Sequence, residues 1–194
     1  MPRPKTHDEA LRTRLLDRAG ELLSSEGAAA LSLRKLAADV GTSTTAVYSL
    51  FGGKPALVRA LYMEAFRRLG TRLQAVQPTG DPAEDLTRLG IAYRDSALAD
   101  PHLYGIMFGG HPGFEPDEEA TAQARAALEP LLNVIAAGAR AGVFPDTTHT
   151  MAMGCWGIVH GLVSLELCGN LPPDMDVAAT YERALRANTS GWRR

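Results

Sequence analysis

Three predicted helix starts that fall close together carry the side chains best suited to chemistry in this chain: Ser32, Ser43 and Lys54. A helix N-terminus presents backbone N–H groups without intrahelical partners and the positive end of the helix dipole, and both favour a bound phosphate. Serine is a preferred N-cap, and the proline after Lys54 is tolerated in a first helical turn. These starts therefore predict a surface that can hold phosphate groups.

The segment from Ser32 to Phe51 predicts two short helices joined by a tight turn at Gly41 and Thr42. Such a pair matches a helix-turn-helix, whose second helix enters the major groove of DNA. That second helix is expected to bury Val47 and to present small hydroxyls and one tyrosine, which suit a close approach to base edges and backbone. The residues on this exposed side are Thr44, Thr45, Tyr48 and Ser49.

The run from Gly41 to Lys54 resembles the signature of TetR-family transcriptional regulators. It shares the glycine, the small cap, the short variable stretch, the tyrosine, the phenylalanine and the lysine that opens the next helix. With the preceding helix included, the resemblance covers about residues 8–58. It implies that Tyr48 and Lys54 contact phosphates and that other side chains cap the helices or face the groove. These others are Ser32, Thr42, Ser43, Thr44, Thr45 and Ser49.

The recognition stretch departs from the family pattern, in which histidine often stands where Ser49 and Leu50 are and a basic residue where Thr44 is. The bidentate reading of guanine by arginine or lysine is therefore missing from this helix. We expect some specificity to come from Arg3 and Lys5 in the minor groove, or from DNA shape.

Helical patterns dominate the whole chain, and no stretch shows sustained alternation of apolar and polar residues. We therefore predict an all-α fold of about nine helices, with a three-helix helix-turn-helix head in residues 1–54 and a larger helical body for ligand binding and dimerisation in residues 55–194. One long helix is expected from about Asp117 to Ala141, with a kink at Pro130.

The predicted helix from Thr147 to Cys168 is apolar nearly all round. A helix without a polar face is buried on two sides, so one side can meet the body and the other a second subunit. The resemblance implies the same arrangement, because TetR-like proteins pair through their last two helices. A central helix buried within one chain is the alternative. The expected interface residues are Val159, Leu162, Val163, Leu167 and Tyr181.

A weaker resemblance connects Trp156, His160 and Gly161 to a family variant whose body helix carries Trp, His and Gly at this spacing. Aromatic, methionine and histidine side chains can line the mostly apolar cavity that a small molecule needs. Ordinary core positions are the alternative for each of them. The expected ligand-binding residues are Tyr93, Tyr104, Met107, Phe108, Trp156 and His160.

Composition narrows the class of protein. Apolar residues make up 45% of the chain and the net charge is −2, with a weakly basic head and an acidic body. Cys155 and Cys168 form no spaced framework, so we expect buried reduced thiols, a reducing cytoplasm and no metal site. The start of the chain lacks an apolar signal segment, and the run from Met151 to Leu165 is shorter than the roughly 20 residues of a membrane span.

These features predict a cytoplasmic, homodimeric DNA-binding transcriptional regulator without cofactor: a repressor that an unknown small-molecule effector releases from a palindromic double-stranded operator. A helical adaptor that binds protein is one alternative. A thiol enzyme using Cys155 and His160 is another, but residues five apart diverge by well over a hundred degrees around a helix. We therefore expect no catalytic residues.

Overall fold

The computed structural model describes residues 5–27, 31–109 and 114–193, with residues 5–7 described by their backbone alone. Within these ranges every regular element is an α-helix, which confirms the predicted all-α class. The helices are α1 (Lys5–Glu26), α2 (Leu33–Val40), α3 (Thr44–Phe51), α4 (Lys54–Gln74), α5 (Pro82–Ala99), α6 (Pro101–Phe108), α7 (Glu118–Ala126), α8 (Glu129–Arg140), α9 (Thr148–Leu167) and α10 (Val177–Gly191).

Ten helices are found in these ranges where about nine were expected, and the difference lies in the predicted helix from Asp117 to Ala141. It is two helices, because regular helix stops after Ala126 and restarts at Glu129. Pro130 stands in the first turn of α8, where its missing N–H costs nothing. The proline therefore marks a helix start instead of a kink.

Local caps fix two of the helix starts after α4. Asp81 accepts a hydrogen bond from the Ala83 N–H at 2.9 Å and begins α5, with Pro82 in the first turn. Asp176 accepts from the Ala179 N–H at 3.0 Å and begins α10. Each carboxylate satisfies a backbone donor that the helix itself cannot, which is the physical role of an N-cap.

The chain forms two compact units. The first comprises the described residues within Met1–Phe66 and His102–Gln123, so it holds α1 to α3 and most of α4, α6 and α7. Its core is built from fully buried leucines and valine of α1 to α4. These include Leu15, Leu22, Leu36, Val47, Leu57 and Leu61. The domain boundary expected after residue 54 stays a prediction, since compactness divides the chain elsewhere.

The second unit comprises the described residues within Arg67–Pro101 and Ala124–Arg194, in which α5, α8, α9 and α10 pack on one another. Phe144 is fully buried against Gly138, where an added Cβ would stand 2.2 Å from the Phe144 ring. A glycine is thus required for this close approach. The Arg94 guanidinium donates to both carboxylate oxygens of Glu166, at 2.7 and 2.6 Å, and so ties α5 to α9.

Candidate nucleic-acid interface and ligand cavity

The turn between α2 and α3 is fixed by backbone conformation. Gly41 has φ +70°, in the left-handed region that glycine adopts without strain, and it ends α2. The Thr42 N–H donates to the carbonyl of Ala37 at 2.8 Å, which satisfies one of the last carbonyls of α2. The chain therefore reverses within a short turn, as the sequence pattern predicted.

Ser43 caps the start of α3, because its Oγ accepts the Ala46 N–H at 3.1 Å. Ser32 does the same for α2, where it accepts the Lys35 N–H at 3.5 Å. In α3, Val47 and Phe51 are buried in the core of the first unit. The opposite side, whose centre is Tyr48 with 53% of its surface exposed, points away from that core.

The side chains predicted to contact DNA fall into two groups, one exposed and one half-buried. Ser32, Ser43, Thr45, Tyr48 and Ser49 are exposed, and Thr42, Thr44 and Lys54 are half-buried. Arg3 lies outside the described residues, and nothing is described of the Lys5 side chain. The eight side chains that are described lie on α3, at the N-caps of α2 and α3, in the turn between these helices and at the start of α4.

Most of the cations near this surface hold the helices together. Arg14 donates to the Val40 carbonyl at 2.6 Å, and Arg18 pairs with Asp39 at 2.8 Å, so both tie α1 to α2. Lys35 is bonded to Glu26 at 2.7 Å. These contacts stabilise the unit in which α3 is presented.

Arg34 is a candidate contact that the sequence analysis missed. It is exposed in the first turn of α2 and has no ion pair within the part of the chain that the structure describes. A cation beside a helix start adds to the attraction that the N–H groups and dipole already exert on a phosphate. The signal was present, because the spacing of Leu36, Ala37 and Val40 puts Arg34 on the outer side of α2.

The six expected ligand-binding residues fall in both units. Tyr93 and Trp156 line a cavity within the second unit. His160 is beside them, with its Nδ1 3.4 Å from the Tyr93 hydroxyl and its ring 6.4 Å from that of Trp156. Burial lowers the pKa of His160 from its ordinary 6.5, so its neutral form is favoured.

The other three expected ligand-binding residues, Tyr104, Met107 and Phe108, are on α6 in the first unit. The rings of Tyr104 and Phe108 are 5.1 Å apart, and Phe108 meets the edge of Phe66 at 6.0 Å. Met107 packs against the core of that unit. Their role in a ligand site stays a prediction, and the cavity of the second unit is lined by other residues.

The expected interface residues are likewise unequal in exposure. Val159, Val163 and Tyr181 are buried within the chain, and the Tyr181 hydroxyl donates to the Gly90 carbonyl at 3.0 Å. Leu162 and Leu167 are half-buried. Little surface of the first three remains for a second subunit, because neighbouring helices of the second unit already cover them.

The outward side of α9 carries other apolar residues. Met153 is 64% and Leu165 46% exposed, and exposed Gly157 and Gly161 lie between them at four-residue spacing. We call these four residues the open face of α9. By length and composition α9 could also cross a membrane, with 17% of its apolar window buried in the chain. One such helix is weak evidence for a membrane span, since helices at the interfaces and in the cores of soluble proteins share this composition.

The two cysteines differ in environment. Cys155 is buried and donates its S–H to Asn188 Oδ1 at 3.5 Å, and burial raises its pKa to about 11. The thiol therefore stays protonated near neutral pH, which argues against a thiolate nucleophile at this position. Cys168, expected to be buried, is exposed because α9 ends beside it.

Comparison with known proteins agrees with the geometry over both units. Residues 15–61 match the family model described as bacterial regulatory proteins, tetR family. Residues 86–188, more than half of the chain, match the model described as tetracyclin repressor-like, C-terminal domain.

Individual relatives are distant but cover nearly the whole chain. The HTH-type transcriptional regulator Rv1816 of Mycobacterium tuberculosis is 23% identical over 86% of this chain and 85% of its own. A protein with unknown function from Rhodococcus sp. RHA1 has a TM-score of 0.82 at 25% identity, over 95% and 96% of the two chains. NalD, the secondary repressor of the MexAB-OprM multidrug efflux pump in Pseudomonas aeruginosa, has the same fold. Its TM-score is 0.70 at 22% identity, over 98% and 99%.

Proposed function

The chain belongs to the TetR family of transcriptional regulators, and from this we propose that it is a homodimeric repressor that a small-molecule ligand releases from a palindromic operator. The outer side of α3 is the observation that supports the proposed DNA binding. Exposed Thr45, Tyr48 and Ser49 stand on a short helix whose start is capped by Ser43. Hydroxyl groups can donate to phosphates and to base edges without the bulk that would keep the helix out of a major groove.

The open face of α9 supports pairing with a second copy. Apolar side chains are exposed on this face, and covering them with a partner lowers the free energy. Gly157 and Gly161 lack side chains, so a partner helix can approach closely between Met153 and Leu165. Two heads are also what a palindromic operator requires. Leu162 and Leu167, which keep part of their surface, are proposed to contribute at the edge.

The cavity of the second unit supports the ligand half, with Tyr93 and Trp156 as its aromatic wall and His160 beside them. A bound ligand would favour a dimer whose two heads no longer match the half-sites. Such a ligand must bind the two states of the protein with different affinity, or it shifts nothing. Repression is the direction proposed because NalD, a repressor, has the same fold. A regulator of this kind acts in the cytoplasm.

Selection of binding sites from random duplex DNA tests the proposal. We expect the full chain to enrich a palindrome whose half-sites are about one helical turn apart. Binding should weaken steeply as salt rises, because phosphate contacts release counterions. Failure to enrich any sequence, together with binding that does not depend on salt, would favour a helical protein-binding adaptor instead.

A further inference from the structure

The cavity in the second unit has a volume of about 40 Å³. Its walls come from the end of α4, from α5, from the start of α8 with Leu128 before it, and from α9 and α10. The apolar wall consists mainly of aliphatic side chains. They are Leu73, Leu86, Leu89, Leu128, Leu131, Ile158, Val159 and Leu185.

No charged side chain is among the described residues that line the cavity. A ligand carboxylate or ammonium group would therefore lose its hydration without gaining an opposite charge, and this loss opposes binding. The cavity thus discriminates against ionised molecules, because no charge in its wall compensates for their lost hydration.

Two of the polar side chains in the wall are on α10. Asn188 and Thr189 are consecutive and both line the cavity. The Cys155 S–H donates to Asn188 Oδ1, and among the described residues the Asn188 amide N–H groups and the Thr189 hydroxyl have no acceptor. The Asn188 amide and the Thr189 hydroxyl can therefore both donate a hydrogen bond to an acceptor on a ligand.

The volume sets a size for the ligand. It is several times the roughly 10–15 Å³ that one water requires, and far below the roughly 300 Å³ of sites for larger ligands. A ligand that fits must be small, or it must displace leucine side chains of the wall.

We propose that this cavity binds a small, neutral, mostly apolar molecule with one hydrogen-bond acceptor, which Asn188 and Thr189 recognise. The binding step stands on the cavity alone. Only its effect on DNA rests on the proposed function.

Three small probes of similar size and shape separate the parts of this proposal: isobutene, acetone and acetate. Their binding to the full-length protein is measured by calorimetry and by the fluorescence of Trp156 in a Trp192→Phe chain, which then holds a single tryptophan. We expect acetone to bind about three- to tenfold more tightly than isobutene, because its carbonyl accepts a hydrogen bond. Acetate should bind at least about a hundredfold more weakly than acetone.

Two cysteine variants form a matched pair. Cys155→Leu fills the cavity and should abolish binding of both neutral probes, whereas Cys168→Leu, at the exposed end of α9, should leave it unchanged. If Cys155→Leu does not fold, Cys155→Ala enlarges the cavity and should retain the binding of both. Asn188→Ala should reduce the preference for acetone over isobutene to about onefold to twofold.

The proposal is overturned if acetate binds as tightly as acetone, if neither neutral probe binds, or if Cys168→Leu loses binding as Cys155→Leu does. Operator affinity is measured separately on the unliganded and acetone-bound protein. Bound acetone that leaves operator affinity unchanged would refute release by this ligand and support the cavity. Intact operator binding without any probe binding would refute the cavity and leave the DNA-binding function standing.

Discussion

Helices α3 and α9 each bury one side in their own unit and leave another side uncovered, but the uncovered sides differ in chemistry. On α3 it presents Thr45, Tyr48 and Ser49, and on α9 it presents the open face from Met153 to Leu165. Exposed hydroxyl groups form hydrogen bonds with water until a polar partner replaces the water. The outer side of α3 can therefore bind such a partner and release it. Removing exposed apolar groups from water lowers the free energy, so the open face of α9 favours a stable interface with a partner.

The largest effect is expected from a charge on the open face of α9. Leu165→Glu should weaken self-association by about a hundredfold or more, because a carboxylate buried against apolar surface is not compensated. Sedimentation equilibrium measures the change. Leu98→Glu, a substitution of the same kind at a 37% exposed leucine of α5, is the control and should leave the dimer intact. Equal dissociation of both variants would contradict the distinction between the two helices.

On α3, loss of the exposed tyrosine should affect binding and leave the fold intact. Tyr48→Ala should lower operator affinity about tenfold to thirtyfold, since each of two heads loses a phosphate contact of about 1 kcal/mol. Fluorescence anisotropy measures the affinity and a thermal melt the stability. The neighbouring Val47→Ala is the reverse case, because Val47 is fully buried and its truncation should cost roughly 2 kcal/mol of stability. A Tyr48→Ala protein with full operator affinity would show that the polar side of α3 is not the contact surface.

A smaller effect is expected at the start of α2. Arg34→Ala should weaken binding about threefold to tenfold on all sequences alike and reduce the salt slope by about one per head. Lys35→Ala is the control, because Lys35 is already bonded to Glu26 and should contribute less. The measurement is a salt titration of both variants on the selected operator. A larger loss with Lys35→Ala than with Arg34→Ala would remove Arg34 from the interface.

The smallest effect concerns the inner part of α9. His160 has a lowered pKa in the folded chain, so as pH falls below about 6.5 the unfolded chain takes up a proton first and stability decreases. The loss stops growing once the folded histidine is itself protonated. Thermal melts between about pH 7.5 and 5.5 should show this slope, and His160→Gln should flatten it.

The carboxylates with lowered pKa, Glu84 and Asp117, affect a different range of pH. Each is stabilised as a carboxylate by an arginine, Arg186 or Arg59, so their contribution is lost only as pH falls through values below about 4.5. A slope near pH 6.5 that persists in the His160→Gln protein would therefore have to come from other groups and would refute the role given to His160.

Much of the head could be predicted because its signals are local. Ser32, Ser43 and Gly41 act on backbone groups within a few residues of themselves, so their positions already define where α2 begins and ends and where α3 begins. The same is not true of the α7 and α8 break. Pro130 was visible, but whether it kinks one helix or opens another depends on how the preceding residues pack.

The sequence by itself determined that the chain is helical, that a helix-turn-helix begins at Ser32, and that α9 has no polar side. Only the tertiary structure decided which side of α9 is inward, with Val159 and Val163 buried and Met153 and Leu165 exposed. It also brought Asn188 and Thr189 to a cavity wall that their polar character did not suggest. Caps and turns depend on residues that are close together in the sequence. The inner side of an all-apolar helix depends instead on which other helices pack against it.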